Sequence, residues 1–284
     1  MILDDRWLAA NWPFVRTHLP AAPARVVEIG CGPLGGFVPV LESAGYQATG
    51  IDPAAPAGAP YRQVEFEAYE APGPLDAIVA SASLHHVAHL AVVLDRVRAM
   101  LGPDSRVVVV EWAHERFDEP TARWCFARLP EPGEHDARLP EPGEHDAPRP
   151  EPGQHHAPRP EPAHQHAHRP ESGEHHAHAS ESADDHAWLH RRRADWSESG
   201  LPWDDYLRSW AQAGGVHSGQ DILAALDARF DPESVTYGPY FFADLAGITE
   251  ADEQAAIDAG LIQANRIRYA GRPRLRPGSV HQIP

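Results

Sequence analysis

Four consecutive valines, Val107–Val110, follow Arg106 and constrain the fold of this chain more than any other stretch. A run of β-branched residues without polar alternation is typical of a strand that is buried on both faces. Such a strand needs apolar partners on each side, so it lies in a sheet that helices cover on both faces. The segment 106–110 therefore predicts an α/β architecture.

Short apolar segments alternate with amphipathic segments in the first half of the chain. We predict strands over 25–29, 47–51, 63–66, 77–80 and 106–110, and helices over 4–19, 37–44 and 90–101. The dipeptide Gly102-Pro103 would stop the last of these helices. Strands that are separated by helices imply a parallel sheet with right-handed crossovers.

The C-terminal part of the chain has a different order of elements. There we predict helices over 203–211, 219–230 and 249–259, and strands over 235–242 and 267–270. A strand–helix–strand tail after five parallel strands points away from a plain dinucleotide-binding fold.

Between these two parts lies a tandem repeat, residues 129–187, whose ten-residue period starts with RLPEPGEHDA. Proline at most repeat starts resists helix formation, and the segment has almost no aliphatic side chains for a core, so we expect disorder. A loop made tenfold longer costs only about 2 kcal/mol of closure entropy. We therefore predict an α/β core over 1–128, a disordered insertion over 129–187, and covering helices and strands over 188–284 that complete the same domain.

The composition limits the classes of partner. A formal net charge of −17 at pH 7 gives a surface that repels a phosphate backbone, so we expect no nucleic-acid partner. No run approaches the roughly 20 apolar residues of a membrane span, and the N-terminus lacks the pattern of a secretory signal. The two cysteines, Cys31 and Cys125, form neither a disulfide framework nor a metal-ligand cluster. We expect a cytoplasmic protein with no membrane partner and no metal site in its core.

Three glycines, Gly30, Gly32 and Gly35, follow the first predicted strand with the spacing of a dinucleotide-binding turn. In that turn, the backbone and the next helix N-terminus approach a pyrophosphate. Asp52, twenty residues after Gly32, is placed to bind ribose hydroxyls, so it fits both a ligand with a pyrophosphate and a ligand with a positive charge. Glu28 does not, because a carboxylate at the tip of the first strand would oppose a pyrophosphate and favour an ammonium.

These stretches resemble the motifs of the class I S-adenosylmethionine-dependent methyltransferases. The matching segments are VVEIGCG at 26–32, GIDP at 50–53, DAIVAS at 76–81 and SLHHV at 83–87. The likeness covers roughly residues 22–127 and, more loosely, 188–271. One departure is Pro33-Leu34, which separates Gly32 from the next glycine. The resemblance implies a Rossmann-like α/β fold: a seven-stranded, mostly parallel sheet with helices on both faces and an antiparallel last strand.

The resemblance also implies S-adenosylmethionine as the cofactor. The implied cofactor-binding residues are Glu28, Gly30, Cys31, Gly32, Asp52, Pro53, Glu67, Ala68 and Ser81. Glu28 would hold the methionine ammonium or nearby backbone, and the turn at 30–32 would admit the amino-acid moiety. Asp52 would bind the ribose hydroxyls, and Glu67 would contact the adenine edge.

The residues that follow the fourth and fifth strands are candidates for catalysis. Open α/β sheets bind ligands at the carboxyl ends of their strands, which makes His85, His86 and Glu111 the candidate base or positioning residues. Methyl transfer depends mainly on alignment, so no universal catalytic group is expected. The Leu-His-His signature, common in small-molecule members of the family, implies a small-molecule acceptor.

Two other functions stay open on the sequence alone. The repeat carries many histidines that could coordinate Zn, Ni or Cu, which would suit a non-catalytic, metal-responsive protein. The glycine spacing also suits a nicotinamide-dependent oxidoreductase, although Glu28 and the C-terminal tail speak against it.

Overall fold

The computed structural model describes residues 5–130 and 188–274 of the chain. Its seven strands form one sheet and are β1 Arg25–Ile29, β2 Gln47–Ile51, β3 Tyr61–Arg62, β4 Leu75–Ser81, β5 Leu101–Trp112, β6 Phe230–Gly238 and β7 Arg266–Pro273. The helices are α1 Asp5–His18, α2 Val38–Ser43, α3 Leu90–Met100, α4 Glu119–Phe126, α5 Trp188–Ser199, α6 Trp203–Gly214, α7 Gly219–Asp227 and α8 Glu250–Asp258.

The strand order is β3-β2-β1-β4-β5-β7-β6. The first five strands are parallel, and β7 pairs antiparallel with both β5 and β6. The predicted seven-stranded, mostly parallel sheet with an antiparallel last strand is confirmed. The chain runs outward from β1 to β3 and then returns to the other side of β1 with β4, so β1 and β4 flank the point where ligands bind in open α/β sheets.

Both faces of the sheet are covered, as the valine run predicts. Val108 and Val110 pack into one core with α1 and α2, while Val107 and Val109 pack into the other core with α3 and α7. All four valines are at most 1% exposed. Successive side chains of a strand point to opposite faces, so an unbroken apolar run fits only a central, doubly covered strand.

Several predicted boundaries are wrong. The third strand is Tyr61–Arg62 rather than 63–66, and Phe66–Ala68 form a single 3-10 turn. A Cβ on Gly50 would lie 2.8 Å from the Tyr61 ring, so the absence of a side chain there lets Tyr61 pack against β2. The fifth strand begins at Leu101 and continues through Gly102-Pro103, and the helix predicted over 219–230 ends at Asp227.

The strand predicted over 235–242 is shifted: β6 begins at Phe230 and ends at Gly238. Tyr240 and Phe242 turn into the core, where their backbone amides donate to the buried carboxylate of Glu253, at 2.7 and 2.6 Å. The carboxylate accepts hydrogen bonds from two amides that would otherwise bond to a neighbouring strand, so β6 ends before them.

Two helices, α4 and α5, were not predicted. Asp118 caps α4, since its carboxylate accepts from the amide of Thr121, and Pro120 occupies the first turn where proline is tolerated.

The predicted disorder of the tandem repeat falls on residues 131–187, outside the described part of the chain. Among the described helices, none is long and apolar enough to cross a membrane.

Candidate active site

A cleft of about 250 Å³ opens at the carboxyl ends of β1, β2 and β4. Seven of the residues predicted to bind the cofactor line it, and these are Gly30, Cys31, Gly32, Asp52, Pro53, Glu67 and Ser81. The cleft therefore occupies the switch point of the sheet, where the parallel strands leave a crevice for a ligand. Glu28 and Ala68 do not belong to its lining.

Glycine is required in the loop after β1 for two different reasons. Gly30 has φ of 78°, and a Cβ there would lie 2.2 Å from Cβ of Ser83, so a side chain would collide with the loop after β4. Gly32 has φ of 62°, but a Cβ there would meet nothing within 4 Å. Gly30 thus permits close packing of two loops, whereas Gly32 leaves backbone exposed to the cleft.

Asp52 holds this loop in place from the end of β2. Its Oδ2 accepts from the amide of Gly32 at 3.1 Å, and its Oδ1 accepts from the amide of Ala54 at 2.7 Å. The side chain is half-buried and lines the cleft. An ionised carboxylate can accept about four hydrogen bonds, so two amides leave capacity for ligand hydroxyls.

Glu28 lies beneath the loop rather than in the cleft. Its side chain is fully buried, and its Oε2 accepts from the amide of Phe37 at 2.7 Å, directly before α2. A Cβ on Gly36 would lie 2.5 Å from Oε1 of Glu28, so the carboxyl packs against glycine backbone. An amide that would face a pyrophosphate in a dinucleotide-binding turn already has an acceptor here.

Burial changes the protonation of both side chains under the loop. It raises the pKa of the Glu28 carboxyl to about 8, although the amides of Phe37 and Val38 lower it. Burial, followed by the charges of Glu28 and Asp52, raises the pKa of the Cys31 thiol to about 12. Cys31 is therefore a thiol at neutral pH, and it is not an activated nucleophile.

The two sides of the cleft carry polar groups with different exposure, one after β3 and one at the end of β4. Glu67 is exposed on the 3-10 turn after β3, next to the exposed Ala68. Ser81, at the end of β4, is 1% exposed, and its hydroxyl makes no hydrogen bond within the described residues. A buried hydroxyl without a partner is costly, so Ser81 is an unfavourable group at the end of β4.

The three catalytic candidates form one connected group. His86 lines the cleft, and its ring lies 4.0 Å from the ring of His85, measured between centroids. His85 is 3% exposed, and its Nδ1 lies 2.6 Å from Oε2 of the fully buried Glu111. Oε1 of Glu111 accepts from the amides of Ser83 and Leu84, at 2.7 and 2.6 Å.

Glu111 thus fixes the turn that carries both histidines. Four donors or ring nitrogens surround its carboxyl group, which gives the turn after β4 a rigid support on β5. Of the three candidates, the structure places only His86 on the cleft, while His85 and Glu111 lie behind it.

Sequence reasoning missed two parts of this site. Tyr61 packs over Gly35, where a Cβ would lie 2.3 Å from its hydroxyl, and this keeps Gly35 out of the cleft lining. His217 joins the turn after β4 from the C-terminal part, since its amide donates to the carbonyl of His85 at 3.0 Å. A lone histidine more than a hundred residues away carries no local pattern that would reveal this contact.

Within residues 5–130 and 188–274, no cluster of three or more histidine, cysteine or acidic side chains is arranged to hold a metal ion. The histidines of the repeat lie outside these residues, so their metal-binding hypothesis stays a prediction.

A family model described as a methyltransferase domain matches residues 6–173, which is more than half of the 284-residue chain. The chain belongs to this family. The resemblance to class I S-adenosylmethionine-dependent methyltransferases is thereby confirmed, and with it the enzyme class. A nicotinamide-dependent oxidoreductase is not favoured. A comparison of this methyltransferase with curated proteins found no match.

Solved structures with a similar fold include an S-adenosylmethionine-dependent methyltransferase from Mesorhizobium loti, at 19% identity over 93% of this chain and 97% of that one, with a TM-score of 0.46. Another is geranyl diphosphate C-methyltransferase from Streptomyces coelicolor A3(2), at 14% identity over 95% and 80%, with a TM-score of 0.45.

A structure from Listeria monocytogenes, described as an S-adenosylmethionine-dependent methyltransferase, shares 17% identity over 41% of this chain, with a TM-score of 0.33. The chain spans 59% of its length. At such identities and TM-scores these likenesses say nothing about the acceptor.

Proposed function

We propose that this methyltransferase acts on a small-molecule acceptor and binds S-adenosylmethionine in the cleft between β1, β2 and β4. The observation that carries the proposal is the convergence of three groups on one cavity: backbone exposed at Gly32, the half-buried carboxylate of Asp52 and the exposed carboxylate of Glu67. A nucleoside that carries a cationic amino-acid tail offers hydroxyls to Asp52 and close backbone contact at the glycine turn.

The lining residues fit the cofactor part by part. Asp52 would accept hydrogen bonds from the ribose hydroxyls, with Pro53 beside it. Glu67, exposed across the cleft, would accept from the adenine amine, and Ala68 follows it on the same turn. The turn at 30–32 would admit the amino-acid moiety, where a side chain at Gly32 would occupy the open space.

Glu28 takes a positioning role in this proposal. Its carboxyl group supports the start of α2 through Phe37 and does not reach the cleft lining, so it would act on the cofactor through the shape of the loop. The carboxylates that line the cleft are those of Asp52, Glu65 and Glu67, and together they would give the cleft a negative potential that favours a cationic cofactor.

When bound, S-adenosylmethionine supplies a methyl group on a positively charged sulfur. The chain would contribute alignment and desolvation, with His86 at the cleft facing the acceptor. His86 would be the candidate general base for an acceptor that must lose a proton. His85 and Glu111 would hold His86 in place through the rigid turn that they stabilise.

The finer parts of the proposal concern partner and location. An acidic surface, with a net charge of −17, supports a small molecule over a nucleic acid. Both cysteines, Cys31 and Cys125, are buried and unpaired, which supports a reducing compartment such as the cytoplasm.

Calorimetry with S-adenosylmethionine and with NADH on the same preparation tests the proposal. We expect micromolar binding of the former and none of the latter. Replacement of Asp52 by Asn should weaken the cofactor about 10- to 100-fold, because hydrogen bonds to a charged group are each worth roughly 1.5–3 kcal/mol. A folded chain that does not bind S-adenosylmethionine would refute the proposal.

The same assay separates the metal-responsive alternative. If the repeat is a passive insertion, deletion of residues 129–187 leaves cofactor affinity unchanged. A cofactor affinity that falls on this deletion, or that depends on added Zn²⁺, would favour a working role for the repeat instead.

A further inference from the structure

One residue of the C-terminal part, His217, forms two hydrogen bonds with the turn after β4 that carries His86. Its backbone amide donates to the carbonyl of His85 at 3.0 Å, and Nε2 of its ring lies 2.8 Å from the carbonyl oxygen of Val87. His86 lies between these two carbonyls in sequence and lines the cofactor cleft, as does Val87. His217 therefore bridges the residues on either side of His86.

The bond to Val87 determines which ring nitrogen of His217 carries a proton. A carbonyl oxygen can only accept a hydrogen bond, so Nε2 of His217 must donate it. The neutral ring must therefore be the Nε2–H tautomer. The imidazolium also carries a proton on Nε2, so protonation of the ring leaves this bond in place.

Glu111 binds the same turn through different groups. Its Oε1 accepts from the amides of Ser83 and Leu84, at 2.7 and 2.6 Å, whereas His217 donates to the two carbonyls near the end of the turn. Donors at the start of the turn and acceptors at its end thus both have partners in other segments. Backbone bound in this way opens less readily than a solvated loop, so the backbone of His86 is held from two directions.

The loop that carries His217 is itself fixed on both sides. Before it, the amide of Val216 donates to the carbonyl of Ala211 in α6, at 2.9 Å. After it, Ser218 forms a capping box with Asp221 at the start of α7. Because both neighbours of His217 are tied to a helix, its ring is a rigid support for the turn and not a mobile loop side chain.

The start of α7 is also anchored to the segment that follows β5. The carboxylate of Glu115 accepts from the amides of Gly219 and Gln220, at 2.8 and 3.2 Å. Carboxylates are favourable at a helix N-terminus, where amides have no partner within the helix. Through this anchor, His217 is linked to the same strand that carries Glu111.

We propose that His217 is a positioning residue for methyl transfer. It holds the carbonyls of His85 and Val87 and thereby fixes the orientation of His86 towards the acceptor. This inference rests on the proposed function, because His217 acts on the reaction through His86. Alignment of the reacting groups is decisive, since a displacement of about 1 Å lowers a rate on the order of 10²-fold.

Two variants at position 217 separate the ring from its donor. His217→Gln keeps a side-chain N–H close to the position of Nε2, because the Gln amide nitrogen is the same number of bonds from the backbone. His217→Phe keeps a ring and loses the donor, and both variants keep the backbone amide. His18→Gln is the matched control, because His18 ends α1 shortly before the amino end of β1, whereas the cleft opens at the carboxyl ends of the strands.

NMR of the full chain with isotope-labelled histidine rings measures the result. Loss of signals in His86→Asn assigns the ring of His86, and loss in the variants at position 217 assigns His217. In the unmodified chain we expect a proton on Nε2 of His217 and one set of ring signals for His86. His217→Phe should shift or split the His86 signals, His217→Gln should restore them, and His18→Gln should leave them unchanged.

Three results would overturn the inference. One is a neutral His217 ring that carries its proton on Nδ1 in the unmodified chain, which is measured whether or not His217→Phe folds. Another is a set of His86 signals in His217→Phe that matches the unmodified chain. The third is an equal disturbance of His86 in His217→Gln and His217→Phe.

Calorimetry with S-adenosylmethionine separates this inference from the proposed function. The ring signals of His86 are recorded without cofactor, so they report on the support by His217 alone. Cofactor binding by the unmodified chain together with undisturbed His86 signals in His217→Phe refutes only the positioning role. A folded, unmodified chain that does not bind the cofactor refutes the proposed function and, with it, the role of His217 in the reaction.

Discussion

Replacement of Glu28 by Gln probes the most unusual group beneath the cofactor loop. The carboxyl group is fully buried, and its pKa is raised from 4.5 to about 8, chiefly by burial. Gln has nearly the same shape and keeps an oxygen that can accept from the amide of Phe37, but it cannot ionise. The variant therefore isolates the free energy of the charge.

The direction of the pH effect on stability follows from the raised pKa of Glu28. Between pH 4.5 and about 8 the folded chain keeps the proton on Glu28, whereas the unfolded chain loses it. The contribution of Glu28 to stability is thus complete below pH 4.5 and is lost as the pH rises towards 8. With 1.36 kcal/mol for each pKa unit, the full loss is about 5 kcal/mol, of which about 2.5 kcal/mol falls between pH 5 and pH 7.

Urea unfolding at pH 5, 6, 7 and 8 measures this effect. We expect the difference in unfolding free energy, Glu28→Gln minus the unmodified chain, to rise by about 2.5 kcal/mol from pH 5 to pH 7 in favour of the variant. Subtraction at each pH removes the titration of all other groups, since these are common to both proteins.

Val27→Ala provides the matched control. Val27 is the neighbour of Glu28 on β1 and is 1% exposed, so the variant is destabilised by lost packing, by an amount that does not change with pH. A pH-independent difference for Glu28→Gln would refute the reasoning, because it would mean that the buried carboxyl ionises as readily in the folded as in the unfolded chain.

Three further outcomes follow from the site. Gly30→Ala should lower the free energy of unfolding in urea by about 2–5 kcal/mol, because the new Cβ would collide with the loop after β4. Gly32→Ala should lower it by only about 1–2 kcal/mol of backbone strain, because its Cβ meets open space. Equal losses of stability for the two variants would contradict this packing. Glu111→Gln should cost at least about 2 kcal/mol in the same assay, because it weakens charge-assisted bonds to His85 and two amides. His86→Asn should lower kcat for methyl transfer, while cofactor affinity measured by calorimetry stays unchanged. An unaltered kcat would show that His86 has no role in the reaction.

The position of Glu28 changes the reason for cofactor preference. The sequence suggests a direct contest between its charge and a pyrophosphate. In the structure the carboxyl group instead binds the amide of Phe37, which removes a donor that an anion would need. Under the proposed function, discrimination against a pyrophosphate would come from the loop backbone, and the half-buried Asp52 would provide a carboxylate in the cleft.

The sequence by itself determined the central architecture. The unbroken run Val107–Val110 fits only a doubly covered strand, and the alternation of short strands with helices required a parallel sheet. The glycine turn and Asp52 could also be recognised in the sequence, because each depends on local backbone geometry and on a position at a strand end. Chain order alone therefore brings these groups to one edge.

Only the tertiary structure decided which of these groups face the cleft. Burial of Glu28, coverage of Gly35 by Tyr61 and support of His85 by Glu111 depend on contacts between segments far apart in sequence. Periodicity reports which face of an element is apolar, but the direction and protonation of a side chain are set by neighbours that only folding brings together.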